Sequence, residues 1–126
     1  MVKVIFYVCA NVSDSNMSIN IEEQDNIIVA KLKGDVDLAH APGIRKILLK
    51  TLEGKKPLVI DLSDVSYIDS SGIACLVEAL QSAKKHKLDF SLAHISSKAM
   101  RVLQLARLDK VFTIYASLEE AINEGK

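Results

Sequence analysis

The pattern of apolar and polar residues changes period several times along the chain. In Ser18-Ile19-Asn20-Ile21-Glu22 the two types alternate, the period of a strand with one buried face. Asp25-Asn26 follows as a turn signal and Ile27 to Leu32 reads as a second strand, so the pair is expected to form a hairpin ended by Gly34. Over 42–53 the period lengthens: Ile44, Ile47, Leu48 and Leu52 recur at helical spacing. Pro42 stands in the first turn, where its missing N–H costs nothing, and Gly54 is the expected stop. Leu58-Val59-Ile60 is a continuous apolar run, which fits a strand covered on both faces and ending near Asp61. Residues 71–86 return to helical spacing through Ile73, Leu76, Val77 and Leu80. That helix closes on Lys84, Lys85, His86 and Lys87, which suit the negative end of the helix dipole. Asp89 to Ile95 reads as a strand and Ser97 to Leu108 as a helix with Ala99, Val102, Leu103 and Ala106 inward. A strand over Val111 to Tyr115 and a helix over Leu118 to Asn123 complete the pattern.

The order β-β-α-β-α-β-α-β-α predicts one α/β domain with a mixed sheet of about four to five strands and four helices. The sheet must be mixed, because only the first pair can be joined by a tight turn and the later strands need crossovers. The first 16 residues do not share this pattern. Val2 to Cys9 is β-prone, but Asn11 to Asn16 is a polar string with loop composition. Residues 1–16 are expected to be an N-terminal extension, either an edge strand or disordered, ahead of a domain spanning 17–126.

The length of 126 residues fits one domain with a real core. Trp is absent and aromatic residues are 5% of the chain, so that core must be built mainly from Val, Ile, Leu and Ala. Sixteen basic residues balance sixteen acidic ones, which leaves no global charge to attract nucleic acid or an anionic membrane. Two cysteines, Cys9 and Cys75, are too few for a disulfide framework, and no Cys/His spacing supports a metal site. Cys75 falls in an apolar helical run and reads as a buried thiol, a usage that suits a reducing cytoplasm. The apolar stretches are too short for a membrane span, and Val4 to Ala10 is too short for a signal-peptide core.

The informative stretch is Asp61-Leu62-Ser63-Asp64-Val65-Ser66-Tyr67-Ile68-Asp69-Ser70-Ser71-Gly72. It runs from a buried strand, through a connection of small and polar residues, into a helix. Sites in open α/β sheets gather at such junctions. At its plainest, Asp69 or Ser70 is an N-cap worth about 1 kcal/mol and Gly72 permits close packing. Two adjacent hydroxyls exceed what one cap needs, however. The free N–H groups and positive dipole at a helix start also tolerate a phosphate. A serine there can gain nearly two negative charges without loss of the fold.

These residues resemble the signature of STAS domains, specifically of bacterial anti-sigma factor antagonists. Gly34-Asp35-Val36-Asp37, with Ala41-Pro42 beyond, resembles that family's upstream acidic motif, and the resemblance spans roughly residues 18–122. It implies a STAS-like fold and a switch without enzyme activity or cofactor. The unphosphorylated antagonist binds an anti-sigma factor that is itself a serine kinase and so frees the sigma factor. Phosphorylation ends binding, and a PP2C-like phosphatase restores it. The implied phosphorylated residue is Ser70, with Ser71 second. The implied partner-binding residues are Asp37, Asp69, Ser70, Ser71 and Gly72. The resemblance further implies a cytoplasmic protein, a monomer when free, that binds neither nucleic acid nor membrane directly. The second reading is a non-catalytic STAS subunit of a transporter-associated or signalling scaffold. No Gly-x-Ser-x-Gly elbow or Walker-type loop is present, and His40, His86 and His94 are scattered, so hydrolase and nucleotide-binding readings find no support.

Overall fold

The computed structural model describes residues 2–8 and 17–124. The expected loop Asn11 to Asn16 and Cys9 lie outside the described residues. Six strands form one sheet in sequence order: β1 (Val2–Val8), β2 (Met17–Gln24), β3 (Ile27–Val36), β4 (Leu58–Ile68), β5 (Phe90–Ala93) and β6 (Thr113–Tyr115). β1 lies antiparallel to β2 and β2 to β3, whereas β3, β4, β5 and β6 run parallel. Strands β2–β6 and four helices make the expected mixed α/β arrangement. β1 extends it at one edge.

The β2–β3 hairpin turns on Asp25 and Asn26, both at positive φ (54° and 66°). That left-handed pair matches the twist of the flanking strands, and Asp and Asn adopt it at lower cost than other residues with a side chain. The helices are α1 (Ala41–Leu52), α2 (Ser70–Lys85), α3 (Ser97–Leu105) and α4 (Leu118–Glu124). The main core joins Ile19, Ile21, Ala30, Leu32, Leu58, Ile60 and Leu92 of one sheet face to α1, α2 and α3. A smaller cluster joins Ile27, Val29, Val59 and Ala93 of the other face to Ala121 and Ile122 of α4. The run Leu58-Val59-Ile60 is apolar throughout because β4 is covered on both faces, as its sequence implies.

β4 does not end at Asp61. It continues to Ile68 beside β3, and its pairing register shifts twice, between Lys31↔Asp61 and Lys33↔Asp64 and again between Gly34↔Val65 and Asp35↔Tyr67. Each shift places one extra residue on β4 and so reverses which face the following residues present. Leu62, Val65 and Ile68 therefore all bury, at a spacing of three that alternation cannot recognise. Gly34 likewise does not terminate β3. It sits within the strand at φ 101°, beside the second shift, where a Cβ would be strained. At the end of α1 it is Lys55, not Gly54, that takes the left-handed conformation (φ 58°). α3 stops at Leu105, so Ala106 becomes an exposed cap residue rather than an inward one, and Arg107 turns the chain at φ 60°. No helix among the described residues is long and apolar enough to cross a membrane.

Candidate functional site

The ends of β3 and β4 and the start of α2 meet at Asp69. Its backbone is extended (φ −116°, ψ −173°), as an N-cap requires, and its Oδ1 accepts the N–H of Gly72 at 3.0 Å. Its Oδ2 accepts the N–H of Leu38 at 3.1 Å, and its own N–H donates to the Val36 carbonyl at 3.3 Å. One carboxylate thus caps α2 and fastens the β3–α1 connection to it.

Gly72 makes this approach possible. A Cβ there would lie 2.2 Å from the Val36 carbonyl oxygen, 2.7 Å from Val36 Cγ1 and 2.9 Å from Ile68 Cγ1. The first turn of α2 rests directly on the end of β3, and only glycine fits. This burial sorts the two serines. Ser70, the first residue of α2, is exposed, whereas Ser71 is half-buried.

Asp37 stands one residue before Leu38. Its Oδ1 accepts the backbone N–H of His40 at 3.2 Å and the His40 imidazole Nδ1–H at 2.7 Å. His40 is 2% exposed and Asp37 27%. The structure therefore links Asp37 and Asp69, distant in sequence, through the short Asp37-Leu38 segment. The sequence reading missed His40, whose signal is the Asp37-x-x-His40 spacing just ahead of a Pro-marked helix start. It also missed two exposed apolar side chains at this end of the sheet, Leu38 (70% exposed) and Tyr67 (53%). The burial of Asp61 has a local reason as well: its Oδ1 accepts the Ser63 N–H at 2.9 Å, which shapes the chain at the first register shift. Ser96 ties α3 to the same stretch. Its Oγ donates to the Val65 carbonyl at 3.1 Å and caps α3 by accepting from Ala99 N–H at 3.3 Å.

The chain belongs to the STAS domain family. The family model matches residues 18–121, from β2 into α4. The anti-sigma-B factor antagonist of Listeria monocytogenes is 31% identical over 105 residues, covering 79% of this chain and 89% of the relative. That of Bacillus subtilis is 28% identical over 107 residues, covering 85% and 98%. The crystal structure of an anti-sigma factor antagonist from Mycobacterium paratuberculosis superposes with a TM-score of 0.77 at 26% identity, covering 86% of this chain and 93% of that one. β1 lies outside the matched STAS segment.

Within this STAS domain the α2 start gathers the residues singled out from the sequence. It presents one accessible hydroxyl, two acids engaged by the backbone and neighbouring apolar side chains. Among the described residues no group of three or more His, Cys, Asp or Glu side chains is placed to hold a metal ion. The Cys75 thiol is buried, free and far from nucleophilic. Burial, helped by the charge of Glu78, pushes its pKa up to about 12.

Proposed function

We propose that this STAS protein is a cytoplasmic anti-sigma factor antagonist whose partner is an anti-sigma factor with serine kinase activity. The unphosphorylated form binds that kinase and releases the sigma factor. Phosphorylation of Ser70 ends the complex, and a PP2C-like phosphatase resets it. The free antagonist is a monomer. The observation that carries the reading is the contrast at the start of α2: Ser70 is exposed in the first turn, while Asp69, Ser71 and Gly72 are drawn into the structure around it.

Physical chemistry supports a switch at this position. The helix start offers free N–H groups and a positive dipole end to a phosphate, so the fold accepts the modification. A partner shaped to meet Asp37 and Asp69 does not. It would face nearly two additional negative charges on Ser70 and the cost of desolvating them. A penalty of about 3 kcal/mol weakens binding roughly 100-fold. The test is to incubate the chain with the anti-sigma kinase of its own genome and ATP and to map the phosphate by mass spectrometry. A single phosphate on Ser70 is expected, with Ser70→Ala unmodified yet still bound to the kinase. Phosphorylation of Ser70→Ala at the wild-type level would overturn the assignment.

A further inference from the structure

The second face of the sheet carries polar groups that the switch does not use. Strand pairing sets Val59 of β4, Ser91 of β5 and Thr113 of β6 side by side in one row, and Tyr115 stands two residues beyond Thr113 on the same face. α4 packs over this face through Ala121 and Ile122. Between the row and α4 lies a cleft of about 260 Å³. Ser91, Thr113 and Tyr115 line it from the sheet. Two exposed acids, Asp89 just before β5 and Glu124 at the end of α4, complete it. No Lys, Arg or His is among the described residues of its lining. The cleft lies at the opposite end of β4 from Ser70: Leu58, which opens β4, lines it, whereas Ser70 follows Ile68, which closes the strand.

The fold gives Ser91 no work to do. The residue is 8% exposed beside the apolar cluster of Val59 and Ala93, and its hydroxyl has no hydrogen-bond partner among the described residues. A buried hydroxyl left unmatched costs free energy that an apolar residue at the same place would not. The side chains of Asp89, Thr113, Tyr115 and Glu124 likewise make no hydrogen bond or ion pair among the described residues. Three hydroxyls and two carboxylates thus converge on one cleft with no partner inside the protein.

We propose that this cleft binds a small aliphatic amine in its ammonium form, a function independent of the switch at Ser70. Two carboxylates without a counter-charge in the lining attract a cation and repel an anion, and the carbonyl end of α4 adds to the same sign. An ammonium group has three donors and no acceptor, which matches a lining of carboxylate and hydroxyl oxygens. A neutral polyol could meet the hydroxyls but would gain nothing from the charges. A metal ion lacks a ligand set, since no group of three or more His, Cys, Asp or Glu is placed to hold one among the described residues. Val59 and Ala121 offer an apolar surface to a short methylene stem. The volume is below that of a drug-sized pocket, which limits the ligand to about ten non-hydrogen atoms.

The test titrates 1,4-diaminobutane into the ¹⁵N-labelled full-length chain at low ionic strength and follows the backbone amides by NMR. Butyrate and 1,4-butanediol serve as anionic and neutral probes of the same length. Saturable shifts at Ser91, Thr113, Tyr115 and Glu124 are expected, with a Kd of about 1 mM or tighter, and neither control probe should move these amides at about 20 mM. Ser91→Val, which puts an apolar residue beside an apolar cluster, is expected to weaken binding at least about 10-fold, and Asp89→Asn and Glu124→Gln about fivefold each. Glu119→Gln, an exposed acid of α4 outside the cleft, should stay within about twofold of wild type. Urea unfolding verifies each variant. Asp89 and Glu124 are exposed, so their variants carry the test even if Ser91→Val fails to fold. If the diamine shifts Asp37 and Asp69 as strongly as the cleft, or binds all variants like wild type, it only screens surface charge and the proposal fails. Equal saturable shifts with Mg²⁺ at the same amides would mark a site for cations in general and overturn the amine. The absence of saturable shifts at Ser91 and Thr113 would overturn the site itself.

Discussion

At Gly72 and Asp69 the site depends on single atoms. A Cβ at Gly72 would overlap the Val36 carbonyl oxygen at 2.2 Å, and that oxygen belongs to a strand that cannot retreat. Gly72→Ala is expected to cost about 3 kcal/mol in urea unfolding, well beyond the propensity gain of alanine in a helix. Asp69→Ala removes a cap and the Leu38 tether together. A loss of about 2 kcal/mol is expected. Asp69→Asn should recover part of it, since one amide oxygen can still accept from Gly72. Cys75 makes a separate prediction about pH. Its folded pKa of about 12 lies above the ordinary thiol value of 9.0, so the native state holds the proton more tightly than the unfolded chain. Between those values the unfolded chain binds fewer protons, and stability falls as pH rises. The contribution is intact below pH 9.0 and fades toward pH 12. Cys75→Ala is expected to lose less stability than wild type over that window, measured as unfolding free energy against pH.

β3 and β4 show how an element can be hidden from its own sequence. Their parallel pairing carries two register shifts, and each inverts the inward and outward sense of β4. The buried residues Leu62, Val65 and Ile68 then follow a period of three, which belongs to neither a regular strand nor a helix. Asp61, Ser63 and Gly34 are the local devices that accommodate the shifts. Gly34→Ala tests this at the level of the element. With φ at 101°, an alanine there is expected to cost about 1–2 kcal/mol in denaturant unfolding, whereas Gly54→Ala, at negative φ, is expected to cost under about 1 kcal/mol. The helices were easier to read. Their apolar stripes followed the ordinary period, and only their ends shifted, at Lys55 and at Ala106.

For the molecule as a whole, the two faces of the sheet divide the labour. α1, α2 and α3 cover one face and bring the α2 start against the end of β3, while α4 closes the other face far along the chain. Among the residues whose burial is described, both clusters draw on 17–122, and the family match covers 18–121. A chain beginning at Met17 is therefore expected to fold with an unchanged helical circular-dichroism signature. Its unfolding midpoint should be lower, because β2 loses the antiparallel pairing of β1. Phosphorylation should leave the fold intact as well. Ser70 is exposed in the first helical turn, and the urea-unfolding free energies of the two forms are expected to agree within about 1 kcal/mol.

The local period of the chain was enough to determine the α/β class, the hairpin at Asp25-Asn26, the four helices and the buried β4 run. Each of these follows from short-range spacing and from residues whose backbone preferences are strong. The Asp69-Ser70-Ser71-Gly72 cap was legible for the same reason. Only the tertiary structure decided how the site is assembled, because its contacts span distant segments. Asp69 reaches back to Leu38, Gly72 lies against Val36, and His40 holds Asp37 from a turn that carries no periodic signal. The tertiary structure also separated exposed Ser70 from half-buried Ser71 and set Glu124 of α4 in one cleft with Ser91 and Thr113. Exposure and adjacency depend on how elements pack, and neighbouring residues in a sequence can differ in both.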